Sequence, residues 1–248
     1  MFWNIRTEKE CQQIYPDDTS NTLDLILSYV ALTTYFLCIK RGPEGTHNTN
    51  TGKTKMKEIA DLLFEANILK EIPRSGYHFL GAGRESIAEH SFGITFIAYV
   101  MSQMEPEIDS LRLISMCLVH DLPEARIGDL NYVQKKYLTP DEGLALKDMA
   151  DGLPFGAKLT ELVNEFSSGE SLEARLARDA DQLALILELK ALIDLGHPSP
   201  SKWLPAVLER LETDTGKALA ENIMKTERDS WWQKTYQDPH RKLKNHHK

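Results

Sequence analysis

From residue 56 onward, apolar side chains recur at every third and fourth position. That is the period of a helix with one buried face, and the every-second alternation of a half-buried strand is nearly absent. The spacing predicts helices over 56–69, 87–104, 109–121, 140–151, 156–167, 170–195, 202–213 and 216–236. Gly196, Pro198, Pro200 and Pro205 break the long sixth helix from the last pair, since proline lacks the helical N–H donor. Ser86, Ile87, Ala88 and Glu89 have the pattern of a capping box that starts the second helix. Leu111, Ile114, Ser115 and Leu118 are the expected buried stripe of the third.

Ahead of this region the pattern changes. Residues 25–39 read LILSYVALTTYFLCI, fifteen residues without a charge, bounded by Asp24 and by Lys40-Arg41. A membrane span needs roughly 20 apolar residues, so a short buried or partner-facing helix is the expectation. The run has no basic segment before it and no clear cleavage site, so it fits a signal peptide poorly. Residues 42–55, GPEGTHNTNTGKTK, read as a polar linker. Gly52-Lys53-Thr54 resembles the tail of a phosphate-binding loop, but His47 stands where that loop needs glycine. The expected division is therefore an N-terminal helical extension and linker over 1–55 and a helical domain over 56–248. Met56 stands where a shorter chain could begin.

The chain has 248 residues, room for one domain with an appendage. Apolar residues are 42% and charged residues 27%, which excludes wholesale disorder. The net charge of −8 argues against a nucleic-acid duplex as partner, but leaves room for a small phosphate ester in a local basic pocket. Cys11, Cys38 and Cys117 form no C-x-x-C pair. A disulfide framework and a cysteine zinc site are thereby disfavoured, and a reducing, cytoplasmic location is expected.

Three polar insertions interrupt the apolar helices. His90 precedes Phe92, Ile94, Phe96 and Ile97; the doublet His120-Asp121 closes LRLISMCLVHD; Asp181 sits in ARDADQLALIL. Buried imidazoles and carboxylates are costly unless paired or bound to metal. Nitrogen and oxygen donors of this kind suit Mn, Fe, Co, Ni or Zn. Separations of 30 and 60 residues are too long for a zinc finger and fit ligands carried on separate helices of a bundle. Asp179 competes with Asp181 for the last position. Asp179 has Arg175 one turn earlier and is expected as a surface ion pair, whereas Ala177, Ala184 and Leu185 flank Asp181.

These residues resemble the H…HD…D signature of the HD-domain metal-dependent phosphohydrolases. The neighbourhoods are more specific than the doublet. Residues 85–91, ESIAEHS, resemble the E-x-x-x-E-H-S segment of the family's 5′-deoxynucleotidase branch. His120 through Glu124, then Gly128-Asp129-Leu130, resemble its H-D-x-x-E-x-x-x-G-D block. Leu69-Lys70 through Pro73-Arg74-Ser75-Gly76 resemble the segment carrying that branch's substrate arginine. The likeness runs from about residue 56 to about residue 195.

The resemblance implies an all-α HD-domain bundle in which His90, His120, Asp121 and Asp181 hold one divalent ion. It implies that Glu124 orients the attacking water or exchanges its proton. Asp129 would face the sugar hydroxyl or leaving oxygen, and Arg74 would grip the phosphate. The implied reaction is hydrolysis of a (deoxy)nucleoside 5′-monophosphate to nucleoside and phosphate. A phosphohydrolase of another small ester or of a nucleoside triphosphate is the second expectation, and a silent nucleotide-binding regulatory module the third. Bacterial members of the branch place Trp after the substrate arginine; Ser75 follows Arg74 here and Tyr77 is the nearest aromatic, which leaves the choice between deoxyribose and ribose open. A homodimer is expected, with Trp203, Leu204, Trp231 and Trp232 offering its apolar surface.

Overall fold

The computed structural model describes residues 49–236, with side chains from residue 55. The apolar run at 25–39, the linker before residue 49, Cys11, Cys38 and the basic tail after residue 236 lie outside the described residues. Within them the chain is all-α. The helices are α1 (Thr49–Ile68), α2 (Tyr77–Leu80), α3 (Ile87–Met104), α4 (Ser110–Val119), α5 (Glu124–Ile127) and α6 (Glu142–Ala150). They continue as α7 (Gly156–Ser168), α8 (Leu172–Asp194), α9 (Leu204–Leu208), α10 (Asp214–Lys225) and α11 (Ser230–Tyr236), with 3-10 turns at Gln134–Lys136 and Ser199–Lys202. The β-pairing among the described residues is a single bridge, Pro73 to Ser86.

Local chemistry sets the boundaries. Ser86 accepts from the Glu89 amide while Glu89 reaches back to the Ser86 amide, completing the capping box of α3. Asp109, Asp141, Ser171 and Thr213 cap α4, α6, α8 and α10 in the same way with a side-chain oxygen. Helix α1 starts at Thr49, seven residues before the expected start, so residues 49–55 are helical and not linker. Once the amphipathic run has nucleated a helix, extending it backward needs only one hydrogen bond per residue fixed, and no proline stops it. The expected helix 202–213 contracts to a 3-10 turn and the five residues of α9. The expected helix 216–236 is broken after Lys225, where the Arg228 amide turns to Asp194.

Helix α8 is the central element, packed against α3, α4, α7, α9 and α10. The larger core joins Ile94, Met101, Leu113, Met116, Leu176, Leu183 and Leu189. A smaller one joins Leu69, Ile87, Leu122, Leu146 and Leu159, with α1 contributing Ile59, Leu62 and Ala66. The face of α4 differs from expectation. Leu113, Met116 and Cys117 are buried, whereas Leu111 is 75% and Leu118 58% exposed. SLRLISMCLV is apolar nearly all round, so its period cannot select a face; packing against α3 and α8 does.

Asp179 is also corrected. It is fully buried, not a surface partner of Arg175. Its Oδ1 accepts from the Glu212 amide at 2.8 Å, and its Oδ2 from the Thr213 amide at 2.8 Å and the Thr213 hydroxyl at 2.6 Å. The carboxylate therefore ties the start of α10 to α8 and takes amides that would otherwise have continued the helix before it. A Cβ on Gly216 would stand 2.2 Å from Asp179 Oδ2, so the close approach requires glycine. Asp179→Asn should cost about 1–3 kcal/mol, because an amide NH2 would face donors. In a domain of this size that lowers Tm by roughly 2–10 °C, readable by calorimetry, with metal content per folded chain retained.

Candidate metal centre

The centre lies at the seam between the two cores. On α3, His90 stands between Ile87 of the smaller core and Ile94 of the larger. At the end of α4, His120 and Asp121 stand between Cys117 of the larger and Leu122 of the smaller. Asp181 arrives from the middle of α8. His90, His120 and Asp181 bring one ligand atom each within 4.8 Å of one another.

Each donor is held by an outer partner. His120 Nδ1 lies 3.0 Å from the Cys117 carbonyl. A carbonyl only accepts, so Nδ1 carries the hydrogen and Nε2 presents its lone pair to the centre. The Phe166 ring packs on His120 at 4.4 Å between centroids. His90 Nε2 is 2.9 Å from Asp181 Oδ1, and its Nδ1 is 3.6 Å from Glu85 Oε2. The Gln182 amide donates to Asp181 Oδ2 at 2.9 Å. Asp121 stands outside the cluster of three, yet reaches it: Oδ1 is 3.2 Å from His120 Nε2 and Oδ2 is 3.9 Å from His90 Nε2.

Arg74 is brought in by the loop before α3. Its amide donates to the Glu85 carbonyl, while the amides of Ile87 and Ala88 donate to Ile72 and Leu69. The loop thereby satisfies the otherwise open first turn of α3 and sets Arg74 over the end that carries His90. Arg74 Nη1 is 3.4 Å from Asp121 Oδ2 and its Nε 3.9 Å from Asp129 Oδ2. Asp129 in turn accepts from the Ser75 amide at 2.8 Å. Gly128, at φ +74°, ends α5 in a conformation other residues avoid and releases the chain toward Asp129. Pro123 stands at the N-cap of α5, where its missing N–H costs nothing, and α5 opens on Glu124.

The electrostatics are those of a cation site. Asp121, Asp129, Asp181 and Glu124 all act on the one Arg74 guanidinium, and outweigh the burial that would lower its pKa. Burial raises the Asp121 and Asp181 carboxyls, but the histidines and Arg74 reverse this, and both end below the usual range. His120 moves the other way: burial lowers it, and Asp121 and Asp181 raise it further. Glu124 is pushed up to about 9, by burial first and then by Asp121 and Asp129. Its Oε2 is buried without a hydrogen-bond partner among the described residues. Two imidazole nitrogens, neighbouring carboxylates in excess of cations and an unpartnered buried carboxylate oxygen fit a divalent transition metal.

A cleft of about 560 Å³ opens from this centre. Arg74, His90 and Asp129 line it, together with Tyr77, Phe79 and Trp203. Glu85, the first residue of the resembling segment 85–91, is given no role by sequence reasoning. It lies on the cleft, next to His90 Nδ1, and its pKa is raised chiefly by burial. That segment is its only signal, since it lies ahead of the cap and outside any helical face.

A helical bundle with two histidines and aspartates converging from three helices defines a metal-binding helical domain. A family model for the HD domain matches residues 66–235. The chain belongs to the HD domain family. It is 29% identical over 135 residues to human 5′-deoxynucleotidase HDDC2, covering 52% of this chain and 65% of that protein. The match thus spans just under two thirds of the human relative's length. It is 28% identical over 171 residues to 5′-deoxynucleotidase hdd1 of Schizosaccharomyces pombe, covering 58% of this chain and 85% of that one. A conserved hypothetical protein from Pyrococcus furiosus shares the fold with a TM-score of 0.61 at 31% identity, over 67% of this chain and 99% of its own. A predicted metal-dependent phosphohydrolase from Magnetospirillum magnetotacticum has a TM-score of 0.55 at 23% identity, over 70% and 93%, and shares the fold alone.

Proposed function

We propose that this chain is a metal-dependent phosphomonoester hydrolase acting on (deoxy)nucleoside 5′-monophosphates. The observation that carries the reading is the convergence of His90, His120 and Asp181, with His90 and Arg74 lining one cleft. The names of the human and fission-yeast relatives support the substrate class. In this reading His90, His120, Asp121 and Asp181 hold one ion, of Co, Mn, Zn, Fe or Ni. Such an ion, when bound, lowers the pKa of water and polarises a phosphoryl oxygen.

The protein's own residues would divide the remaining work. Arg74 presents a planar fork of donors to the phosphate oxygens and balances the charge that spreads over them. Asp129 holds the Arg74-Ser75 turn through the Ser75 amide and faces the sugar or leaving oxygen. Glu124 can take the proton of the attacking water and return it to the leaving 5′-oxygen as the P–O bond breaks.

A phosphate-release screen of nucleoside mono- and triphosphates with each of these metals tests the reading. Release of one phosphate from monophosphates is expected. Release from triphosphates alone, or binding without release, would replace the reading with a different hydrolase or a silent module. Cytoplasmic residence also belongs to the reading, since the buried thiol of Cys117 is free. So does a homodimer, but its expected surface changes. Leu204 is buried and Trp203 packs against the core; Trp231 and Trp232 are exposed, and Phe92, Phe96 and Tyr99 add an exposed aromatic row on α3. Light scattering at micromolar concentration should give twice the monomer mass.

A further inference from the structure

We propose that Trp203 is the platform on which the substrate's base stacks, so that the cleft selects an aromatic group. The inference rests on the phosphomonoesterase reading of the same cleft. Trp203 joins the 3-10 turn Ser199–Lys202 to α9, where Pro200 is fully buried and Leu204 and Val207 anchor the helix in the core. The indole is therefore held by a buried corner: it packs in part on the larger core and also lines the cleft.

Its position relative to the phosphate end follows from Gly76. The outer edge of the six-membered ring, Cη2 and Cζ3, lies 3.7 Å from where a Cβ on Gly76 would stand. Gly76 is two residues beyond Arg74, and two residues span at most about 7 Å. An aromatic ring thus stands with its edge next to the turn that carries the guanidinium, within reach of a group joined to the phosphate through one sugar. Phe79, half exposed, lines the same cleft, and Ala206 and Val207 continue its wall with apolar surface. Every nucleobase has a π face, and stacking on an aromatic side chain is tolerant of its identity.

The test uses the full chain loaded with Mn²⁺ and compares Trp203→Leu with Trp203→Phe. Leucine keeps an apolar filler in the core but removes the aromatic face; phenylalanine restores it. The readout is kcat/KM for deoxyadenosine 5′-monophosphate divided by kcat/KM for 2-deoxyribose 5-phosphate, which has no base. In Trp203→Leu this ratio should fall roughly 5- to 150-fold, the range for one lost stack, mostly through the KM of the nucleotide. Trp203→Phe should recover most of it. An unchanged ratio in Trp203→Leu, with both esters affected alike, would make Trp203 a packing residue and overturn the proposal. If the wild-type chain hydrolyses neither ester, the phosphomonoesterase reading fails by itself. Stacking is then decided by fluorescence: saturable quenching by deoxyadenosine that Trp203→Phe abolishes supports the platform, and its absence overturns it.

Discussion

Replacing His120 with alanine should strip the centre of its metal and reduce turnover to background. His120 is almost wholly enclosed, and the Cys117 carbonyl fixes which of its nitrogens faces Asp181 and His90. Losing an outer partner of a metal ligand typically costs 10- to 100-fold in affinity or activity, and losing the ligand itself costs more. Asp181→Asn should behave alike, because a neutral amide is a poor ligand and removes the negative charge 2.9 Å from His90 Nε2. Metal content should fall from about one ion per chain to near zero in both, as measured by mass spectrometry on protein whose helicity is intact. Asp179→Asn is the matched comparison: a carboxylate two residues away on the same helix, whose loss should cost stability and spare the metal. Unchanged metal in both ligand variants would place the centre elsewhere.

Glu124→Gln should produce the opposite split. The residue follows Asp121 by one helical turn but stands outside the group of potential ligands formed by His90, His120 and Asp181. Metal content should therefore stay near the wild-type value. The glutamine cannot carry a proton between the attacking water and the leaving oxygen, so kcat should drop about 10²- to 10⁴-fold. Steady-state phosphate release, with metal content measured on the same sample, checks both halves. A variant that keeps wild-type turnover would reduce Glu124 to a buried carboxylate at the start of a short helix.

The all-α class is legible in the sequence because the helical period persists through almost every segment after residue 56. Boundaries are legible where a cap announces them, as at Ser86, and not where tertiary contacts decide. Residues 209–213 leave the helix because Asp179, more than 30 residues away in sequence, takes the amides of Glu212 and Thr213. The same contact explains why the two aspartates of α8 were separable only in part. Alanine neighbours mark Asp181, but the apparent partner of Asp179 is one turn away while its true partners are distant. His90, His120, Asp121 and Arg74 stand out as polar groups next to apolar runs or within a resembling segment. Glu85 stands out only as the first residue of such a segment and Trp203 only as apolar surface, since their nearness to the centre arises from the loop that crosses the start of α3 and from the corner before α9.

The most direct measurement is anomalous diffraction from crystals of the full chain grown with Co²⁺ or Mn²⁺. The account predicts one strong peak within coordinating distance of His90 Nε2, His120 Nε2 and an Asp181 carboxylate oxygen, with Asp121 turned from Arg74 to join them. A peak at any other residues, or none at a metal concentration that supports phosphate release, would contradict it.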